Sequence, residues 1–285
     1  MKAILAHITG GDADAGVLES AHAVARMFDG HVEALHTRLD PSETGFFFGG
    51  EALAASVPVL MEAIERDAEE LSRRARAHYD QWRTTHALRV VQHPAEEPGV
   101  TVSWQETVGM PQRALARAGR LADLIVTSRL TDEPSGQTRA ELETLLLETG
   151  RPVMLVPQGG RVSTLKRAVV AWNGSIEASR ALAFAKPLLA STEDVVVATA
   201  TERGIEACDP EPVIRYLGFN GIGARSVVID ATGGLGARLL EMAKSSEADF
   251  VVMGAYTRSR VRQLIYGSMT RHVLAHADLP VMLAH

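Results

Sequence analysis

Short unbroken apolar runs alternate along this chain with longer stretches in which apolar residues recur every three or four positions. The runs read as buried strands and the periodic stretches as helices. In the first half, Ala3 to Ile8, His31 to His36, Thr101 to Val108, Leu124 to Ser128 and Pro152 to Pro157 are strand-like. Val17, Ser20, Ala21, Val24 and Ala25 recur at helical spacing, and Asp29-Gly30 closes that helix. Val57 to Trp82 predicts a long charged helix with apolar positions at Leu60, Ile64, Ala68 and Leu71. Gln112 to Gly119 and Arg139 to Glu148 predict two more, and Pro41 to Gly50 reads as a loop. The second half repeats the order. Strands are expected over Ala168 to Trp172, Asp194 to Thr199, Ala224 to Ile229, Phe250 to Met253 and Pro280 to Leu283. Helices are expected after Ser175, over Pro212 to Leu217, Leu235 to Ala243 and Ser268 to Ala275.

Apolar strands without polar alternation, separated by helices, predict an α/β fold with a parallel sheet covered on both faces. Right-handed crossovers make such a sheet doubly wound. Ligands then bind beyond the carboxyl ends of the strands, near the switch point.

The chain also says nearly the same thing twice. ADLIVTS (122–128) returns as ADFVVMG (248–254), RPVMLVP (151–157) as LPVMLAH (279–285), and KAILAHI (2–8) as RAVVAWN (167–173). A period of about half the chain is too long for a solenoid and means two copies of one domain. The expected boundaries are 1–158 and 165–285, with Gln158 to Thr164 as a linker that carries no apolar pattern. Each copy is long enough to bury its own core. The second is shorter between its second and third strands, where the first inserts the long charged helix.

Among 285 residues, 46% are hydrophobic and 22% charged, and the net charge is −6. That balance argues against nucleic acid as a partner, because neutralising phosphates needs a surplus of Lys and Arg. No run of 18 apolar residues suggests a membrane span. The first residues lack the apolar stretch of a signal peptide, and the single cysteine, Cys208, cannot form an internal disulfide. The expected location is the cytoplasm.

The two copies differ after the fourth strand. In the second, Gly254-Ala255-Tyr256-Thr257 is followed by nine residues and then by Gly267-Ser268, which opens a helix. Glycines let a backbone approach a phosphate, and a helix start offers free N–H groups to an anion. Ser268 and Thr270 add hydroxyls. The same glycines could equally make turns, with Ser268 as an ordinary N-cap. The segment from Met253 to Leu283 resembles the closing signature of the universal stress protein family. Its nucleotide-binding members carry glycine, two residues, glycine, nine residues, then glycine and serine or threonine. Gly254, Gly267 and Ser268 match, while Thr257 replaces the middle glycine. VVAWNGSIEASRAL resembles the family's first strand and helix.

The resemblance covers the whole chain as two tandem copies and is stronger in the second. It implies two five-stranded parallel sheets of adenine-nucleotide hydrolase-like order 3-2-1-4-5, paired through their last strands. It implies an adenine nucleotide such as ATP, with Mg, in the second copy. Asn173 stands where the family's nucleotide binders place an aspartate against the adenosine, and backbone near Ala198 and Thr199 would meet the base. The phosphate loop maps to Met253, Gly254, Thr257, Gly267, Ser268 and Thr270. In the first copy Ser128, Arg139 and Ala140 take the corresponding places, so that copy lacks the cradle. His7 and Ile8 lie near its adenosine position.

The resemblance implies binding and signalling under stress more than turnover, since no nucleophile or base is positioned. Two rivals remain: an interaction protein in which both sites are empty, and an adenine-nucleotide hydrolase-type enzyme. The second is disfavoured because Asn173-Gly174-Ser175-Ile176 is a poor match to the glycine-rich loop such enzymes carry. The expected partners are the other copy within the chain, through a self-complementary contact, and a second chain in a homodimer. Arg258, Arg260 and Arg262 could steer an anion. His272 and His276, four apart, read as structural, and no metal site is expected. His78, His86 and His93 read as surface residues, Cys208 as inert, and Phe46-Phe47-Phe48 as a lid or contact patch.

Overall fold

The computed structural model describes residues 1–44, 57–93, 98–129, 138–160, 162, 164–201, 207–255 and 268–285. Thr257, Gly267, the three arginines 258, 260 and 262, and Phe46-Phe47-Phe48 lie outside the described residues. The first half runs β1 (Ala3–His7), α1 (Asp14–Phe28), β2 (His31–Arg38), α2 (Pro41–Thr44), α3 (Val57–Thr85), β3 (Arg89–Val90), β4 (Thr101–Val108), α4 (Pro111–Gly119), β5 (Leu124–Ser128), α5 (Arg139–Glu148) and β6 (Val153–Val156). The second runs β7 (Arg167–Ala171), α6 (Ile176–Leu189), β8 (Asp194–Thr201), α7 (Glu211–Phe219), β9 (Arg225–Asp230), α8 (Leu235–Ser245), β10 (Phe250–Gly254), α9 (Ser268–His276) and β11 (Val281–Ala284). The predicted strands and helices are found with small shifts at their ends. The differences are α2, inside the expected loop, and β3, whose two residues are too few to leave a periodic signal. Helix α1 ends where expected, and it is Asp29 (φ 46°) that takes the left-handed turn ahead of Gly30.

Strand order is β3-β4-β2-β1-β5-β6-β11-β10-β7-β8-β9. Each half therefore has the expected 3-2-1-4-5 order, with β3 added at the outer edge of the first. Within each half the strands are parallel. β6 and β11 then pair antiparallel, with Met154 opposite Met282, Leu155 opposite Val281 and Val153 opposite Leu283. Such self-matching pairing places a local two-fold axis at the two methionines, and each half covers the other's exposed edge.

One expectation is corrected. The halves do not keep separate cores. One apolar layer runs under α1, α3, α6 and α7, through Ile4, Ala6, Met154, Met282, Val252 and Val170. The other lies under α4, α5, α8 and α9, through Leu5, Ile125, Leu155, Val281, Val251 and Val169. The seam strands are buried on both faces, so apolar packing continues across them. The linker is not a free tether either. Val162 is buried and its N–H donates to Ser20 Oγ at 3.0 Å. The Gly160 carbonyl lies 2.3 Å from where a Cβ on Gly16 would stand, so glycine is required there. Arg129, just after β5, crosses to the other half. Its Nη1 donates to the carbonyls of Ala275 (3.0 Å) and Ala277 (2.9 Å) at the end of α9, the negative end of that helix.

Candidate functional site

The ends of β7, β8 and β10 bring Asn173, Ala198, Thr199, Met253 and Gly254 to one side of the second half. Beyond β7 the chain turns through Gly174 (φ 72°) into α6. Asn173 is exposed, and its Oδ1 accepts from Ser175 N–H at 3.1 Å. Ser175 Oγ in turn accepts from Ala178 N–H at 3.1 Å, which makes Ser175 the N-cap of α6. The Ala198 carbonyl already receives Trp172 N–H at 2.8 Å. Thr199 is buried, and its hydroxyl has no hydrogen-bond partner among the described residues.

Three expected site residues have different surroundings from those the motif suggests. A Cβ on Gly254 would stand 2.6 Å from Ala178 N and 2.7 Å from the Glu177 carbonyl carbon. That glycine admits the start of α6 against the strand. Thr270 is 5% exposed, and Met253 lies in the core. Their side chains are packed rather than presented. Ser268 opens α9 as predicted.

The first half shows what the same framework looks like when filled. Strand registers make Ile4 equivalent to Ala168, and Val32 to Val195. Thr9 therefore corresponds to Asn173, Gly10 to Gly174 and His36 to Thr199. This corrects the expectation for His7 and Ile8. The His7 ring turns away to Thr127 Oγ1, at 3.1 Å, and Ile8 enters the core. Gly10 repeats the positive φ of Gly174, at 88°. A Cβ on Gly10 would stand 2.4 Å from the Leu71 carbonyl oxygen, so α3 lies directly on the loop. A Cβ on Gly174 would meet only Cys208 Sγ, at 3.2 Å.

Protein groups also satisfy the first loop. The buried Asp14 carboxylate accepts from Thr9 N–H (2.9 Å) and Gly10 N–H (2.8 Å), with His78 Nδ1 at 3.3 Å. Asp14 corresponds to Ala178, as the matching burial patterns of α1 and α6 show. Where the second half has Thr199, His36 stacks against Trp104 (centroids 6.3 Å apart) and its Nδ1 lies 3.0 Å from the Ile8 carbonyl. Burial holds the His36 pKa below the usual imidazole range, with the Ile8 carbonyl opposing the shift.

The two helix starts differ in the same sense. The N-terminus of α5 is closed by a capping box. Thr138 Oγ1 accepts from Glu141 N–H at 3.2 Å, and Glu141 Oε2 accepts from Thr138 N–H at 2.9 Å. An internal carboxylate thus holds the place an anion would take. Alignment of β6 with β11 matches Glu141 to Met269, so α9 carries a methionine where α5 has its capping carboxylate. Arg139 donates to Glu143 Oε1 at 2.9 Å, as a solvated helix-start arginine does.

Sequence reasoning missed three features. His78 and His86 are not free surface residues: His86 Nε2 lies 2.7 Å from Glu19 Oε1, and both imidazoles are half-buried. A cavity of about 560 Å³ opens beside α4 in the first half, lined by Glu33, Gln105, Arg113, Arg117 and Leu121 among others. Burial pushes the Glu33 carboxyl above its usual range. Third, Gly254 has a packing role that no spacing motif reveals. Among the described residues no helix is long and apolar enough to cross a membrane.

The family model for the universal stress protein family matches residues 216–285. No curated protein matches the chain significantly by sequence. A universal stress protein from Archaeoglobus fulgidus DSM 4304 superposes with a TM-score of 0.61 at 17% identity, covering 99% of this chain and 97% of its own. A candidate universal stress protein from Pseudomonas aeruginosa UCBPP-PA14 gives 0.55 at 14% identity, covering 100% and 93%. A shorter universal stress protein solved in complex with cAMP covers 42% of this chain and 97% of its own, with a TM-score of 0.33 at 20% identity. The two full-length likenesses establish the fold. The sequence match to the universal stress protein family lies in the second half, and the same α/β unit is repeated in the first, so the chain has a universal stress protein-like fold in tandem.

Proposed function

We propose that this protein is a cytoplasmic, stress-associated nucleotide binder with one working site. In this reading residues 1–158 and 165–285 are the two domains. The second takes ATP or a related adenine nucleotide with Mg. Asn173 and the backbone at Ala198 and Thr199 face the nucleoside. Gly254, Thr257, Gly267 and Ser268 surround the phosphates, with Met253 and Thr270 as their packed supports. Mg would sit on the phosphate oxygens. The first domain is a closed copy that carries no nucleotide. The observation behind this reading is the contrast between equivalent loops. In the first half Leu71, Asp14, His36 and Glu141 fill or satisfy the positions a nucleotide would use. In the second, Ala178, Thr199 and Met269 stand in the places of the last three, and a cysteine side chain adjoins Gly174 where the α3 backbone adjoins Gly10. The role is binding in a signalling or protective setting, not rapid turnover.

Purified protein, denatured and analysed by mass spectrometry, should release adenine nucleotide, and a Gly267→Val variant should release none. One observation favours an interaction protein with both sites empty. Gly254 and Asn173 are each accounted for by the fold itself, through close packing and the Ser175 turn. Absence of nucleotide in wild type, together with no uptake of added Mg-ATP, would select that reading.

A further inference from the structure

Away from the strand ends, α1 and the end of α3 bring together Glu19, His22 and His86. We propose that these three side chains form a binding site for a zinc-class divalent cation that fastens α3 to α1. One ligand atom from each residue lies within 4.8 Å of the other two. Glu19 and His22 are three apart on α1, so they share a face. His86 follows the last turn of α3, and its Nε2 is 2.7 Å from Glu19 Oε1. The His22 and His86 rings are 4.4 Å apart.

The chemistry of the set is specific. Two imidazoles and one carboxylate are the donors that suit zinc, and three protein ligands leave a fourth position for water. Tetrahedral zinc with bonds near 2.0–2.1 Å needs donors roughly 3.3 Å apart. The Glu19–His86 contact must therefore open slightly while His22 moves in, a change within side-chain rotation. His22 is 8% exposed, so packing around the ring holds it in place. Trp82 packs edge-on against the His22 ring (centroids 5.9 Å) and steadies it. Arg26, one turn further along α1, opposes a cation, and the Glu19 charge offsets it. The second half has no counterpart, because Ala183 and Lys186 hold the positions of Glu19 and His22.

The site would matter because α3 is the helix that covers the Gly10 loop. Metal bound at its far end would lock it down, linking divalent cation to the closure of the first half.

Untagged full-length protein, stripped with chelator and titrated with zinc chloride by calorimetry, is expected to take up one ion per chain and to gain thermal stability. Cobalt in its place should give the visible absorption of a tetrahedral site. His86→Gln, at a half-exposed position, should fold normally and bind at least tenfold more weakly. Glu19→Gln should do the same. Unchanged affinity in the Glu19→Gln/His86→Gln double variant would overturn the proposal. So would loss of binding on His272→Gln/His276→Gln, the pair stacked on α9, with Glu19 and His86 intact.

Discussion

The loops after β1 and β7 share a backbone but not a fate. Both pass through a glycine at positive φ, Gly10 in one and Gly174 in the other, and both donate the same strand-end hydrogen bond, from Ile8 N–H to the Leu35 carbonyl or from Trp172 N–H to the Ala198 carbonyl. Around the first, the chain has spent a 29-residue helix, a buried carboxylate and an aromatic stack. Around the second stand a nine-residue helix, an alanine and a threonine. Under the proposed function, a duplicated site is retired without touching its backbone, when neighbouring segments grow into the space its ligand would take.

The contrast can be broken by substitution. Gly10→Ala forces a Cβ into the Leu71 carbonyl at a left-handed position. The conformational cost of about 1–2 kcal/mol adds to an overlap of about 1–3 kcal/mol, giving roughly 2–5 kcal/mol. Gly174→Ala pays chiefly the first part, since Cys208 Sγ can move. Denaturant titration of both variants should show the larger loss at Gly10, and equal losses would mean that α3 does not hold the first loop. Asp14→Ala orphans two amides, Thr9 and Gly10. At about 1–3 kcal/mol for each unsatisfied group, partly offset by water, it should cost roughly 2–4 kcal/mol. A loss within experimental error would show that water replaces the carboxylate fully.

Thr257→Gly sharpens the comparison from the other side. A threonine crowds a phosphate and resists positive φ, so glycine is expected to raise ATP affinity by roughly 1–3 kcal/mol. Stability should change little or fall slightly, because glycine frees the unfolded chain. If wild type binds tightly and the variant no better, the threonine is accommodated.

The smallest effect concerns pH. His22, His31 and His36, all in the first half, are held below the usual imidazole range, in each case chiefly by burial. Below about pH 6.5 the unfolded chain takes up protons that these folded imidazoles refuse. Their contribution is complete above the unfolded pKa and is lost as pH falls through it. The melting temperature should therefore drop between about pH 7 and pH 5.5, and less so in His36→Gln. An identical pH profile in that variant would remove His36 from the account.

Most of the fold was legible because apolar runs and helical spacing are local signals. Repeat matching even placed Pro152–Val156 against Pro280–Leu283 at the seam, since equal edges pair with themselves. The merging of the two cores was not legible, because it depends on which faces of the seam strands are covered. In the candidate site the glycine spacing points to a phosphate loop but does not show what each glycine does in the fold. Gly254 looks like a phosphate glycine in sequence, and only the distance to Ala178 and Glu177 shows α6 against it. Glu19, His22 and His86 escaped notice because two neighbouring residues meet a third across a whole helix. Spacing rules see only partners on the same element.

The central claim is one nucleotide site per chain, in the second half. Calorimetric titration of stripped protein with Mg-ATP measures it directly. The account predicts one ATP per chain, lost in Gly267→Val and unchanged in Arg139→Ala. Two ATP per chain, or loss of binding in Arg139→Ala with Gly267→Val unaffected, would contradict it.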